Sequence, residues 1–111
     1  MFVKDIKDKF NFKLLTGDTG LEKEVKGLYC SDLLSWVMSH AKDGNAWITV
    51  QTHINIVAIA SLLNLSCIIV PESIDVEEDT ITKANEENIA IFSTELDTFK
   101  IFVKFYEAGM R

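Results

Sequence analysis

The stretch that decides the fold is "WITVQTHINIVAIASLLNLSCIIV", Trp47 to Val70. "WITVQ" alternates β-branched and aromatic residues with polar ones, as a strand does. Residues 53–64 have the length of a helix but almost no polar face. "CIIV" is a four-residue apolar run of the kind found in a strand buried on both sides. A strand, a helix without a wet face and a doubly buried strand make a βαβ unit inside a layered α/β protein. Gln51, Thr52, His53 and Asn55 form the polar break in this run, and their purpose is the question the stretch raises.

Outward from this unit, the pattern repeats. Pro71 ends the apolar strand, since proline cannot donate to a sheet ladder. Asp75 with Glu78 reads as a capping box, and Glu77, Glu78 and Asp79 fall in a first turn where the helix dipole favours anions. "IAIFST" reads as the last strand. Thr94 with Asp97 reads as a second capping box, opening a helix over about 95–108. On the other side, "FVKDIKDKF" reads as a short amphipathic helix, "FKLLT" and "KGLYC" as strands, and "GDTGLEKEV" as a polar loop. Ser31 or Asp32 caps a helix running to about Lys42, and "KDGN" turns at Gly44. From residue 46 on, strand and helix alternate with short connections, so right-handed crossovers on a parallel sheet are the simplest outcome. The expected architecture is a three-layer α/β/α single domain over residues 1–111, with a mostly parallel sheet of about five strands. Its strands include 46–51, 67–70 and 89–93. Helix 53–64 is expected to be deeply buried, with Ile56, Val57, Ala60 and Leu63 inside and Thr52 as its cap.

Composition narrows the function. With 111 residues, 48% apolar, the chain is long enough for one core. The net charge of -6 repels phosphate backbones, which argues against nucleic acid as a partner. No apolar run approaches the ~20 residues of a membrane helix. The charged start "MFVKDIKDKF" is unlike a secretion signal. Cys30 and Cys67 lack CxxC spacing and read as buried, reduced thiols of a cytoplasmic protein. The two His are far apart, so no metal site is expected and no cofactor is called for.

Helical periodicity leaves some apolar residues unassigned. Leu33, Leu34, Val37, Met38 and Ala41 form one stripe, and Trp36 points away from it. In the last helix Leu96, Phe99, Phe102, Val103 and Tyr106 form the larger stripe, with Ile101 and Phe105 on another side. Trp36, Ile101 and Phe105 are therefore the candidate interface residues of a homodimer, unless loops or the first helix cover them.

Two places suit a ligand. Gln51, Thr52, His53 and Asn55 lie where a parallel strand ends and a helix begins, the usual position of ligands in open α/β sheets. The other reading is that Thr52 caps the helix and His53 is merely exposed. "TGDTG", Thr16 to Gly20, places two glycines after a strand, but Asp18 opposes a phosphate and no Lys-Ser/Thr follows, so it is not a P-loop. Thr16–Gly17, Pro71–Glu72 and Ser93–Thr94 are expected to join the Gln51–Asn55 corner on one rim of strand ends. "DVEEDTITKANEE" has acids at several places of a calcium loop, but Thr80 stands where that loop needs Gly, and it reads as a helix. No GxSxG or HExxH occurs and no catalytic residue is assigned.

The residues "GLEKEVKGLYCSDLLSWVM", "WITVQTHINIVAIASL", "CIIVPESIDVEEDTITKANEENIAIFST" and "LDTFKI" resemble the DRTGG domain. That is a small α/β module of the same broad type as the N-terminal domain of HPr kinase/phosphorylase, here closest to stand-alone versions in anaerobic bacteria. The likeness spans about residues 3–108, and the Asp97-Thr98-Phe99 triplet recurs in versions attached to phosphotransacetylases and pyrophosphatases. The Asp-Arg-Thr-Gly-Gly string itself is missing, so no ligand role that depends on it transfers. HPr kinase activity belongs to a separate P-loop domain, absent here. The resemblance implies a non-catalytic regulatory module that dimerises and senses a small anionic metabolite or nucleotide. Alternatives are a small enzyme using His53 as acid/base, and a structural partner in an anaerobic redox complex.

Overall fold

The computed structural model describes all 111 residues. In chain order the elements are α1 (Val3–Asp8), β1 (Lys13–Leu14), β2 (Gly27–Cys30), α2 (Leu34–His40), β3 (Asn45–Ile48), α3 (Asn55–Leu62), β4 (Cys67–Val70), α4 (Glu78–Glu86), β5 (Ala90–Ser93) and α5 (Thr98–Glu107). The sheet order is β1-β5-β4-β3-β2. β2 to β5 are parallel neighbours, and only β1 is antiparallel, with Lys13 opposite Ser93. This is the expected α/β fold with a mostly parallel five-stranded sheet.

Strand alternation divides the core into two. Ala46, Ile48, Cys67, Ile69, Ala90 and Phe92 pack under α1 and α5. Trp47, Ile68, Val70 and Ile91 face the other way, under α2, α3 and α4. All four residues of β4 are fully buried, which accounts for its uninterrupted apolar sequence. Ile56, Val57 and Ala60 of α3 are fully buried and Leu63 partly so. The helix lies between α2 and α4 as well as on the sheet, but the expected deep burial of the whole 53–64 run does not hold: Asn55, Ala58, Ser61 and Leu62 are exposed, Leu62 to 71%. The three crossover helices share one face, as a single crossover hand requires when each strand is laid beside the last.

Several local expectations need correction. β3 ends at Ile48 rather than 51, because side chains take over its backbone donors: Val50 N–H donates to Asp32 Oδ1 (2.8 Å) and Gln51 N–H to Thr49 Oγ1 (3.1 Å). Asp32 is thereby drawn away from α2, and Ser31 Oγ accepts the Leu33 N–H at that helix entrance instead. Thr52 does not cap α3, whose N-cap position is Ile54 with no side-chain bond. α4 begins at Glu78, and its N-cap, Glu77, makes no side-chain bond either. In α5 the cap is Asp97, accepting the Lys100 N–H at 2.9 Å. Cys67 is buried, and desolvation pushes its thiol up to about 12. Cys30 is exposed at the end of β2, not buried.

The largest correction concerns α5. Ile101 and Phe105, expected on an outer interface, are fully buried in the core with Phe92 and Phe12. Phe99, Val103 and Tyr106, expected inside, are 74%, 37% and 59% exposed. The more numerous apolar stripe is the outer one. Phe10 accounts for the choice: its ring meets that of Phe105 edge-on at 4.9 Å, closing the core beneath α1. Trp36 is 51% exposed, as expected, with its ring stacked on His40 at 3.9 Å.

At the amino edge of the sheet, the Asn64 amide and then the Lys26 ammonium hold the Asp43 carboxyl below its ordinary value. Because the folded value is lowered, this contribution is present above the unfolded carboxylate pKa and is lost as pH falls through the folded one. Asp43→Asn is therefore expected to make the acid-side loss of stability, below about pH 4, shallower in pH-dependent unfolding. The assignment of α5's faces has a more direct check in urea unfolding. Ile101→Ala should cost about 2–5 kcal/mol, and Phe99→Ala no more than about 0.5 kcal/mol; the opposite order would refute it.

Candidate functional site

The carboxyl rim of the sheet collects the segments after β2, β3, β4 and β5. Along most of this rim the polar groups are consumed by each other. Asp32 Oδ1 accepts from Thr49 Oγ1 (2.8 Å) and from the Val50 N–H. Gln51 Nε2 donates to the Asp32 carbonyl (3.0 Å). The Thr52 carbonyl accepts from the buried Thr80 hydroxyl of α4 (2.7 Å). His53 is exposed, with its Nδ1 3.5 Å from the Asn55 N–H. The polar break in the opening stretch thus stitches the end of β3 to the end of β2 and to α4. With the Asp32 carboxylate at its centre, this corner does not attract an anion.

The other end of the rim differs. The chain leaves β4 for α4 on one face of the sheet and leaves β5 for α5 on the opposite face, so the two loops diverge. Such a change of side is where open α/β sheets form a crevice. A cleft of about 410 Å³ lies beside the end of β5, between it, the start of β1 and α5, lined among others by Asn11, Lys13, Ser73, Ser93, Thr94 and Lys104. Neither Lys13 nor Lys104 takes part in any ion pair of the protein. Glu95 is the one acid on its wall. The loops are braced by Ser73 N–H to the Thr94 carbonyl (2.9 Å) and Glu72 N–H to the Leu96 carbonyl (3.0 Å). Asn11, Glu72 and Ser73 have φ of 58°, 58° and 54°. Left-handed backbone at non-glycine residues is costly and gathers at functional sites. Two of the protein's five such residues, Asn11 and Ser73, line this cleft, and Glu72 adjoins Ser73.

Of the residues singled out from sequence, Ser93 and Thr94 line the cleft, while Gln51, Thr52, His53 and Asn55 are not among its lining residues. Thr16 and Gly17 do not join this rim. β1 runs antiparallel, so Thr16 is carried toward the amino end of β5, where its Oγ1 accepts the Ile91 N–H (3.3 Å). Gly17 N–H donates to Asn85 Oδ1 of α4 (2.8 Å). Thr16 instead helps line a larger, open cleft of about 620 Å³ with Lys7, Asp8, Asn11 and Asp18. There Lys7 is already paired with Asp18 at 3.7 Å, which leaves Asp8 and no free cation. Lys13, Lys104, Asn11 and Ser73 were not foreseen. Lys13 pointed to the rim only once β1 was known to be antiparallel.

The chemistry available for a reaction is sparse. The one hydroxyl–imidazole contact, Ser39 Oγ to His40 Nδ1 at 2.8 Å, joins sequence neighbours on an exposed helix. The same hydroxyl donates back to the helix carbonyls of Ser35 and Trp36. No three His, Cys, Asp or Glu side chains are grouped as metal ligands, and no helix is long and apolar enough to cross a membrane.

Comparison with known proteins adds two findings. The DRTGG domain family matches residues 5–107. No curated protein matches the chain. Among solved structures, it is similar to the CBS and DRTGG domains of the regulatory region of Clostridium perfringens pyrophosphatase, complexed with the activator diadenosine tetraphosphate. That likeness has 15% sequence identity and a TM-score of 0.66, and covers 92% of this chain and 44% of the other. The chain therefore spans less than half the length of that structure, and the likeness is one of fold.

The corner network makes an asymmetric prediction. Asp32→Ala strands the buried Thr49 hydroxyl and the Val50 donor, and is expected to cost about 1–3 kcal/mol in urea unfolding. Thr52→Ala leaves the carbonyl bond to Thr80 intact and should change stability by no more than about 0.5 kcal/mol. A larger loss at Thr52 than at Asp32 would show that the threonine caps α3 after all.

Proposed function

Since the chain belongs to the DRTGG domain family, we propose that it is a non-catalytic regulatory module that pairs with itself and binds a small anionic ligand, a nucleotide or another phosphorylated metabolite. The ligand lies in the cleft outside β4 and β5. The observation that carries this reading is the pair of free lysines, Lys13 and Lys104, facing the hydroxyls of Ser73, Ser93 and Thr94 in a crevice where the backbone is held in a costly conformation. Ammonium groups bind phosphate oxygens as point charges, and hydroxyls and amides supply the directional bonds. The related regulatory region of the pyrophosphatase is complexed with a polyanionic dinucleotide, a ligand of the same chemical class.

The enzyme reading has less support. A general base needs an acid or nucleophile within reach and a pocket for substrate. His53 has only the Asn55 N–H beside its ring and lies outside the cleft. A structural role in a redox complex has no particular residue in its favour.

The test is a thermal-shift and calorimetric screen with ATP, diadenosine tetraphosphate and acetyl phosphate. A ligand at 100 times its Kd should add roughly 2.7 kcal/mol of stability. Lys13→Ala and Lys104→Ala are each expected to weaken the bound compound about tenfold, the size of one charge-assisted contact. Glu95→Gln, which removes the opposing charge, should tighten it. Equal affinity of the double lysine variant, or a screen in which no phosphorylated compound raises the melting temperature, would remove this reading.

A further inference from the structure

The two edges of the sheet are treated differently. At one edge, β1 is two residues long, antiparallel and carries Lys13, features that blunt an edge against pairing. At the other, β2 has four residues, none charged, and a partner strand on one side only. Thr49 N–H donates to the Ile69 carbonyl, so the odd residues of β3 bond to β4 and its even residues to β2. With Leu28 opposite Ala46, Gly27 and Tyr29 bond to β3, and Leu28 and Cys30 turn their N–H and C=O groups outward. Beside this open edge lies the exposed stripe of α5. Phe102, Tyr106, Met110 and Arg111 form an apolar cleft of about 430 Å³ with Leu28 of β2, and Phe99 and Val103 extend the stripe outward.

We propose that β2 pairs antiparallel with β2 of a second copy, making one ten-stranded sheet across a dyad at Leu28, with the two α5 helices packed side by side. This specifies the face by which the module pairs with itself, and rests on that part of the reading above.

The occupant follows from the register. Outward bonding by Leu28 across the dyad sets it opposite its own counterpart, and Gly27 opposite Tyr29 of the second copy. Leu28 lies on the α5 side of the sheet, so the paired leucines and the second α5 fill the apolar cleft. Tyr29 lies on the α2 side and finds a glycine across the pair, which leaves room for its ring. In α5 the same dyad sets Phe99 against Tyr106 of the second copy, an aromatic pair at each end of the contact. Each copy carries a net charge of -6, yet residues 27–31 and the Phe99, Phe102, Val103 and Tyr106 stripe carry no acid, and the charged residue lining the cleft is Arg111, held over the Tyr106 ring, so the copies meet away from their acidic surface. With roughly 150–250 Å² per buried aromatic, the stripe, Leu28 and the strand edge offer on the order of 600 Å² per copy, against ~800 Å² in a standard interface.

Sedimentation over a concentration series and amide hydrogen exchange test this on the full chain. A dimer is expected at tens of micromolar, with the Leu28 and Cys30 amides protected in proportion to the dimer fraction. Phe99→Glu combined with Tyr106→Glu, both on exposed positions, should weaken association by at least ~30-fold, the effect of losing one hot spot, with an unchanged circular dichroism spectrum. A wild-type monomer overturns the face and the self-pairing together. A dimer that ignores the double variant, or whose Leu28 and Cys30 amides exchange freely, overturns this face alone and leaves self-pairing by another surface.

Discussion

A strand that is apolar on both faces must be covered on both. β4, Cys67–Val70, is the centre of the sheet and all four of its residues are fully buried. Water can reach neither face, so a helical layer is required above and below, and parallel neighbours are required at both sides to satisfy its backbone. α3 on one side and α5 on the other answer the first demand, and β3 and β5 the second. The remaining elements close what this arrangement leaves open: α1 completes the layer beside α5, and β1 terminates the sheet next to β5.

The covering is uneven, and the unevenness is where function can enter. Three crossover helices lie on one face, and α1 and α5 on the other, so the chain changes sides before α2 and again after β5. Beside the end of β5, a cleft bounded by the start of β1 and by α5 brings Lys13 and Lys104 to the same lining as Ser73, Ser93 and Thr94. The rest of the rim is closed by Asp32, Thr49, Gln51 and Thr80. Along β2 and β3 the polar groups join elements, and beside β5 Lys13 and Lys104 take part in no ion pair. Distinguishing the two needed partners and distances, since the residue types are alike.

The apolar residues of α5 show a similar division. Both of its sides bear large hydrophobic groups, and only one side can face the sheet. Ile101 and Phe105 were chosen by the shape of the space beneath α1, where Phe10 and Phe12 stack. Phe99, Val103 and Tyr106 were left outside next to an unprotected strand edge. An exposed stripe beside an open ladder is a liability for a lone molecule.

Order and class of elements were legible in the amino-acid sequence, because they depend on local periodicity: the run Trp47–Val70 named its strands and helix, and "CIIV" placed itself at the centre. The family resemblance was legible in the same way, through contiguous motifs. Which residues capped helices, which side of α5 faced inward and where Thr16–Gly17 came to rest were decided only by the tertiary structure. Asp32 could cap α2 or bind Thr49 from the same position in the chain, and the approach of β3 chose the second. β1 could lie in either direction, and its antiparallel course took Thr16 away from the rim and brought Lys13 to it. A periodic pattern records which faces of an element are apolar; the direction of a strand and the choice between two apolar faces are set by the energy of contacts between residues far apart in the chain.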